Sequence, residues 1–243
     1  VDFSHGPIAD SSALIERTGI PRKVLSRLFD STKVGVGFRV LDVGCGQGEL
    51  AAYLSSLGIL CTGIDESPAN VVQARRAAPA CDFTCASINN PVNGPRGGFD
   101  LILVREASPF QTSLLSPAAV SSSLQLLSRV RPGGCLAFLT RIECGAIASA
   151  GHQLACYARH FGFLPGSADF HELPDGHIIG RKLRQRSSVQ TGSGYVIALL
   201  RLPPQVLSVE EWQKAAEVAA RVTTASCCQW AARSSAGFRA KAA

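Results

Sequence analysis

The residues whose types and spacing bear most directly on chemistry lie between positions 42 and 65. Asp42, Gly44, Gly46 and Gly48 alternate along the run DVGCGQG, and Asp65 follows seventeen residues after the last glycine. Glycines at i, i+2 and i+4 let the backbone turn sharply and let a ligand rest on main-chain atoms with no Cβ in the way. A helix opened by such a loop points its positive N-terminus at that ligand. A carboxylate placed as Asp65 is can accept two hydrogen bonds from a ribose diol. Loops that cradle a pyrophosphate prefer G-x-G-x-x-G, because the phosphates need the helix amides. The pattern here is G-x-G-x-G preceded by Asp, which suits a ligand without phosphate and argues against a nicotinamide-dependent dehydrogenase.

Nine cysteines, at 45, 61, 81, 85, 135, 144, 156, 227 and 228, are the other reactive class. Their number is odd and their spacings match no zinc pattern, so no metal site is expected. They read as small buried apolar residues in a reducing compartment, which points to the cytoplasm.

Several elements must position the glycine loop and the acid. FRVLDV (38–43) is a short apolar run ending at the loop and reads as a buried parallel strand. A helix over 49–58 follows, with Gly58 as its stop. LCTGID (60–65) is a second strand, so loop and acid lie at the carboxyl ends of neighbouring strands. Ser67 and Pro68 supply an N-cap and a first-turn proline for the next helix. CDFTCASI (81–88) reads as a third strand running into a loop, and FDLILVR (99–105) as the fourth strand. Ser116-Pro117 opens another helix, and RPGG (131–134) is the expected turn into a fifth strand over 135–140. A helix over about 145–161 and two or three more strands up to residue 202 complete the pattern. Upstream, residues 8–30 read as two helices broken at Pro21. Downstream of Pro203-Pro204, Ser208 and Glu211 form a capping box for a helix reaching about Arg221. Strands alternating with helices five times predict an α/β fold with a doubly wound, mostly parallel sheet.

The chain has 243 residues, 46% of them hydrophobic and 17% charged, with a net charge of +6. That suits one sizeable domain with terminal extensions. No window is long and apolar enough for a membrane span, and VDFSHGPIAD lacks the pattern of a secretory signal. The basic excess is confined to residues 181–243, with ten Lys or Arg against three Glu. Such a segment can attract a polyanion such as RNA, or be a solvated tail without aromatic interleaving.

Four ordered segments resemble the class I S-adenosylmethionine-dependent methyltransferases, a Rossmann-like family. VLDVGCGQGELAAYL is similar to the family's first motif and GIDESPANVVQARRAA to the segment after it. GGFDLILVREA resembles its fourth strand, and LLSRVRPGGCLAFLT its fifth with the preceding turn. The resemblance spans about 35–141. It implies that S-adenosylmethionine is the cofactor, with Gly44, Cys45, Gly46 and Gly48 wrapping its methionine part and ribose. Asp42 would orient the loop and reach the ammonium through water, Asp65 would hold the ribose hydroxyls, and Glu66 would flank the adenine. The loop after the third strand often offers an Asp to the adenine amine. This chain has Ser87 there, followed by Ile88, so adenine recognition is expected to be weaker or to use backbone groups. Arg105, ending the fourth strand, would lie near the methionine moiety.

Methyl transfer from a sulfonium is a direct displacement, so the protein chiefly aligns the nucleophile and excludes water. A base is needed only if the nucleophile must lose a proton. By the resemblance that base is Glu106, one residue past the fourth strand, which can equally be an ion-pair partner for Arg105 or another base. His152, His160, His171 and His177 have no context that promotes them. Methyltransferases acting on planar amines commonly carry an Asn/Asp-Pro-Pro-aromatic run after the fourth strand. The run here is Arg105-Glu106-Ala107-Ser108-Pro109-Phe110, which leaves O, C, S or aliphatic N as acceptor atoms. The expected organisation is an N-terminal helical cap (1–34), the Rossmann-like domain (35–202), and a C-terminal helix with a basic tail (203–243). A small-molecule acceptor, with 8–30 and 142–192 as its lid, is the first expectation. An RNA acceptor, or a non-catalytic binding protein, is the alternative.

Overall fold

The computed structural model describes residues 12–88, 98–110, 114, 116–142, 160–174, 181–182, 194–205, 207–208 and 210–221. Its eight strands are β1 (Arg39–Val43), β2 (Leu60–Asp65), β3 (Asp82–Cys85), β4 (Phe99–Arg105), β5 (Val130–Ile142), β6 (Ser167–Pro174), β7 (Arg181–Lys182) and β8 (Gly194–Arg201). They form one sheet in the order β3-β2-β1-β4-β5-β8-β6-β7. The first five pair in parallel, whereas β8 lies antiparallel between β5 and β6. The chain winds outward from β1 through β2 to β3, then returns to β4 on the other side of β1. That reversal opens a crevice beyond the carboxyl ends of β1 and β4, the usual place for a ligand in such sheets.

Strand side chains alternate between two apolar cores, as a period of two requires when both faces are covered. Val40, Leu101, Leu103, Cys135, Ala137, Leu139, Tyr195 and Ile197 face one core. There they meet Ile15 of α1 (Ser12–Arg17), Leu25 and Leu28 of α2 (Arg22–Thr32), Leu50 and Leu54 of α3 (Glu49–Ser56), and Val71 of α4 (Pro68–Ala77). Leu41, Val43, Ile102, Val104, Leu136, Phe138, Ala198 and Leu200 face the other. They meet Leu126 and Leu127 of α5 (Pro117–Leu127) and Trp212 and Ala216 of a helix over 210–221. Each fully buried Leu in these cores stabilises the fold by roughly 1.5–3 kcal/mol of area removed from water. Among the described residues no helix is long and apolar enough to cross a membrane.

The local signals act through hydrogen bonds. Ser67 Oγ accepts from the Asn70 amide at 3.3 Å and Ser116 Oγ from the Ala119 amide at 3.1 Å, each just ahead of a first-turn proline. The capping box forms reciprocally. Glu211 N donates to Ser208 Oγ at 3.2 Å, and Ser208 N donates to Glu211 Oε2 at 2.7 Å. The exposed Glu211 carboxyl is held below its ordinary value by these bonds.

RPGG is not a turn ahead of the fifth strand. Val130 already pairs with Phe99, and Cys135 with Leu101, so 131–134 is a bulge inside a longer β5. The ladder persists because Gly133 N donates to Pro203 O at 3.0 Å and Leu202 N donates to Gly134 O at 2.8 Å. Asp100, opposite the bulge, pairs with Arg131 and accepts from the Arg39 amide. The third strand ends at Cys85 and runs into a loop, as expected, the chain leaving the ladder as Ala86 N donates to Asp65 O at 3.0 Å. Of the helix expected over 145–161, and of the segment beyond 221, nearly all lies outside the described residues.

Candidate functional site

The glycine loop leaves β1 on two hydrogen bonds, from Gly44 N and Cys45 N to Ile64 O at 2.9 and 3.0 Å. All three glycines take positive φ, 76° at Gly44, 55° at Gly46 and 84° at Gly48. Their surroundings divide the roles that one motif would assign together. A Cβ on Gly44 would stand 2.8 Å from Arg105 O, and one on Gly48 would stand 2.9 Å from Ala74 on α4. A Cβ on Gly46 would meet nothing within 4 Å. Gly44 therefore lets β1 and β4 approach, Gly48 lets α3 and α4 pack, and only Gly46 opens on free space. The Cys45 side chain turns inward, fully buried, with its thiol pushed up to about 12 by burial.

Asp65 ends β2 beside that loop. Its Oδ2 accepts from the Gly46 amide at 2.9 Å, and its Oδ1 accepts from Ser67 N at 2.9 Å and Asn70 Nδ2 at 3.1 Å. A carboxylate has about four acceptor sites. Three are used, so Asp65 has room for about one ribose hydroxyl rather than both. Glu66, next along, accepts from Ser87 Oγ at 2.6 Å. Ser87 thus braces Glu66, while its neighbours Ala86 and Ile88 line the cavity wall.

Asp42 lies beneath the loop with no exposure at all, and Arg105 Nε stands 3.5 Å from its Oδ1 with 17% of its side chain exposed. Neither Asp42 oxygen has a hydrogen-bond partner among the described residues. Burial raises the Asp42 pKa, and the Arg105 charge pulls it back only in part. A buried carboxylate so poorly served is costly unless a further donor approaches.

The cavity beyond these residues has a volume of about 730 Å³, within the range of about 300–1,000 Å³ for small-molecule sites. Gly44, Asp65, Glu66, Ala86, Ile88 and Arg105 form one end. Glu106, Ala107 and Ser108 form the middle, and Glu106 holds a φ of 44°, an uncommon conformation for a side chain-bearing residue. The far end comprises Thr18, Gly19, Ile20, Leu139, Arg141 and Tyr195.

The far end was not anticipated in detail. Arg141 and Tyr195 are direct partners in the β5–β8 register. Arg141 Nη1 donates to Tyr195 Oη at 3.3 Å and the guanidinium lies 5.3 Å from the ring centroid. Tyr195 Oη donates to Gly19 O at 3.2 Å, tying the α1–α2 turn over the cavity. Arg141 closes a strand at its carboxyl edge, a position that sequence reasoning can flag. Tyr195, 54 residues later, is brought to it only by the antiparallel return of β8.

The described histidines lie elsewhere. His160 is buried edge-on to Phe161, and burial lowers its pKa. His171 Nε2 stands 3.2 Å from Ser31 Oγ. His152 and His177 lie outside the described residues. The described cysteines are free thiols, all buried except Cys85. In the basic C-terminal third, Arg201 donates to Ser31 O, while Lys214 and Arg221 pair with Glu210 and Glu217 along their own helix.

Residues 40–134 match the family of methyltransferase domains. A 74-residue stretch is 39% identical to a ubiquinone biosynthesis O-methyltransferase of Bradyrhizobium diazoefficiens, covering 29% of this chain and 28% of that protein. A 93-residue stretch is 39% identical to a trans-aconitate 2-methyltransferase of Escherichia fergusonii, covering 33% and 36% respectively. The chain thus spans about a third of the length of these relatives. A TehB-like SAM-dependent methyltransferase from Corynebacterium glutamicum shares the fold, with a TM-score of 0.50 at 20% identity over 80% of this chain and 95% of that one.

Proposed function

We propose that this chain, whose residues 40–134 match the family of methyltransferase domains, is an S-adenosylmethionine-dependent methyltransferase acting on a small molecule. The observation that carries this reading is the Asp65 carboxylate fixed to the Gly46 amide at the wall of a large cavity. Three features fit the cofactor. Gly46 offers bare backbone, Asp65 keeps about one acceptor site for a ribose hydroxyl, and Asp42, ion-paired with Arg105 at 3.5 Å beneath the loop, adds negative charge that suits an ammonium reached through water. Two adjacent acids, Asp65 and Glu66, on the cavity wall favour a nucleoside sulfonium over a dinucleotide.

When bound, S-adenosylmethionine supplies a methyl group that the acceptor's lone pair takes, while sulfur keeps the electrons of the broken bond. Asp65 and Glu66 hold the sugar and the adenine edge, with Ile88 and Ala86 as the apolar wall beneath the base. Gly44, Gly46 and the backbone of Cys45 lie along the amino-acid part, and Arg105 sits by its carboxylate. Glu106, held by its backbone in the middle of the cavity, takes the proton when the acceptor is a hydroxyl or thiol. Thr18, Gly19 and Ile20 support a role for the N-terminal helices as the cap of the acceptor end. The resemblance to methyltransferases of ubiquinone biosynthesis and of trans-aconitate supports a small-molecule acceptor. The free thiols among the described residues suit the cytoplasm.

Calorimetry with S-adenosylmethionine tests the cofactor, with micromolar binding expected and no binding to the wild type ending the reading. A transfer assay from labelled cofactor into a small-molecule extract and an RNA fraction, run side by side, tests the acceptor. Label entering only RNA would overturn the small-molecule assignment.

A further inference from the structure

Away from the cavity, two thiols stand side by side in the sheet. β2 and β3 pair in parallel, with Thr62 opposite Asp82 and Gly63 opposite Phe83. One position earlier, the same register sets Cys61 opposite Cys81. Both belong to the core shared with α3 and α4, so their side chains leave the same face of the sheet. Neighbouring strands run about 4.8 Å apart, inside the Cα separation of about 4.4–6.8 Å that a disulfide spans. The thiols are close enough to hydrogen-bond, and that contact is the foremost influence on the ionisation of each. It lowers the Cys81 pKa to about 7 against the effect of burial, whereas contact and burial together hold Cys61 well above its ordinary value. In its thiol form Cys81 Sγ also donates to Ala51 O at 3.6 Å. Cys45 shares this core and lies against Gly63, but burial pushes its thiol up to about 12.

We propose that Cys61 and Cys81 are a redox modification site, closing a reversible disulfide when the chain meets a hydroperoxide, with Cys81 as the attacking sulfur and Cys61 as its resolving partner. This inference stands apart from the methyltransferase reading. Cys81 keeps 9% exposure just ahead of β3, the last strand in the sheet order, where a small oxidant approaches. The thiolate is the nucleophile, and a thiol of pKa about 7 is about half ionised at neutral pH. Its sulfur attacks one peroxide oxygen, so an S–O bond forms as the O–O bond breaks. The leaving oxygen takes a proton, and the peroxide is reduced to water or an alcohol while Cys81 becomes the sulfenic acid. The Cys61 sulfur then attacks Cys81, displacing the hydroxyl, which leaves as water with the Cys61 proton. A reducing compartment returns both thiols, so the bond is transient there. Closing it also keeps Cys81 from advancing to the sulfinic acid, the irreversible step.

The test treats the folded full chain with hydrogen peroxide at neutral pH, blocks the remaining thiols and maps the linkages by mass spectrometry. Cleavage after Glu49 and Arg76 and before Asp65 and Asp82 leaves Cys61 on 50–64 and Cys81 on 77–81, each without another cysteine. The wild type is expected to yield these two peptides joined, lighter by two hydrogens, and to lose the link on treatment with dithiothreitol. In Cys61→Ser the sulfenic acid at Cys81 should persist long enough to be trapped by dimedone, and excess peroxide should carry it to the sulfinic acid. In Cys81→Ser, Cys61 should remain a thiol. The wild-type result is decisive even where a variant folds poorly. Cys81 stopping at the sulfenic acid in the folded wild type overturns the inference, as does a link from Cys81 to any other cysteine. A joined pair that forms only after unfolding in urea overturns it too, and oxidation of Cys61 in Cys81→Ser overturns the assigned order of attack.

Discussion

The Gly46 amide donates to Asp65 Oδ2 at 2.9 Å, joining the turn after β1 to the end of β2 across nineteen residues of sequence. One bond therefore shapes the loop and aims the acid, so substitutions at either residue act on both. Replacing Asp65 with Ala should weaken S-adenosylmethionine binding at least tenfold, about 1.4 kcal/mol. The same change frees Ser67 N and Asn70 Nδ2, which should lower stability by about 1 kcal/mol per lost bond. Calorimetry and chemical denaturation on one preparation separate the two effects. Full affinity in a folded variant would mean that the ribose sits elsewhere.

The three loop glycines should fail in different ways. Gly46→Val places its side chain in open space, so the fold should survive the positive φ at a cost of about 1–2 kcal/mol while cofactor binding is abolished. Gly48→Ala runs into Ala74 and should show first as a lower melting temperature. Gly44→Ala runs into the backbone of Arg105 and should lose both stability and binding. Unchanged affinity in Gly46→Val would show that the loop is not the site.

Glu106 is an exposed acid that lines the cavity. If it takes the proton, Glu106→Gln should slow methyl transfer by about 10²-fold or more, with a much smaller change in cofactor affinity. An equal loss in both would make Glu106 a cofactor ligand instead.

His160 gives a pH dependence of stability. Burial lowers its pKa in the fold from an ordinary value of about 6.5, so the unfolded chain binds the extra proton more readily. Stability from this residue is complete above about pH 6.5 and is lost as pH falls through the lowered folded pKa. Urea midpoints measured from pH 5 to 8 should drop on the acid side for the wild type. His160→Gln keeps a donor and removes the titration, and its midpoints should drop less. Parallel curves would assign the acid loss to other groups.

Local signals in the sequence determined much of the molecule. The apolar runs at 60–65 and 99–105 became β2 and β4 at those limits, and Ser67, Ser116 and Ser208 cap the helices they precede. These follow from neighbouring residues, because a strand's apolar run and a cap's hydrogen bond extend over only a few positions. The pairing of the glycine loop with Asp65 was legible for the same reason, since β1 and β2 are consecutive and adjacent. What the sequence did not reveal depends on distant contacts. The RPGG segment stays within β5 because residues 202–203 return to hydrogen-bond it. Gly48 packs on α4, although its place in the motif suggests a ligand contact. Arg141 and Tyr195 meet only because β8 runs antiparallel beside β5, and no local pattern encodes which strand will close a sheet.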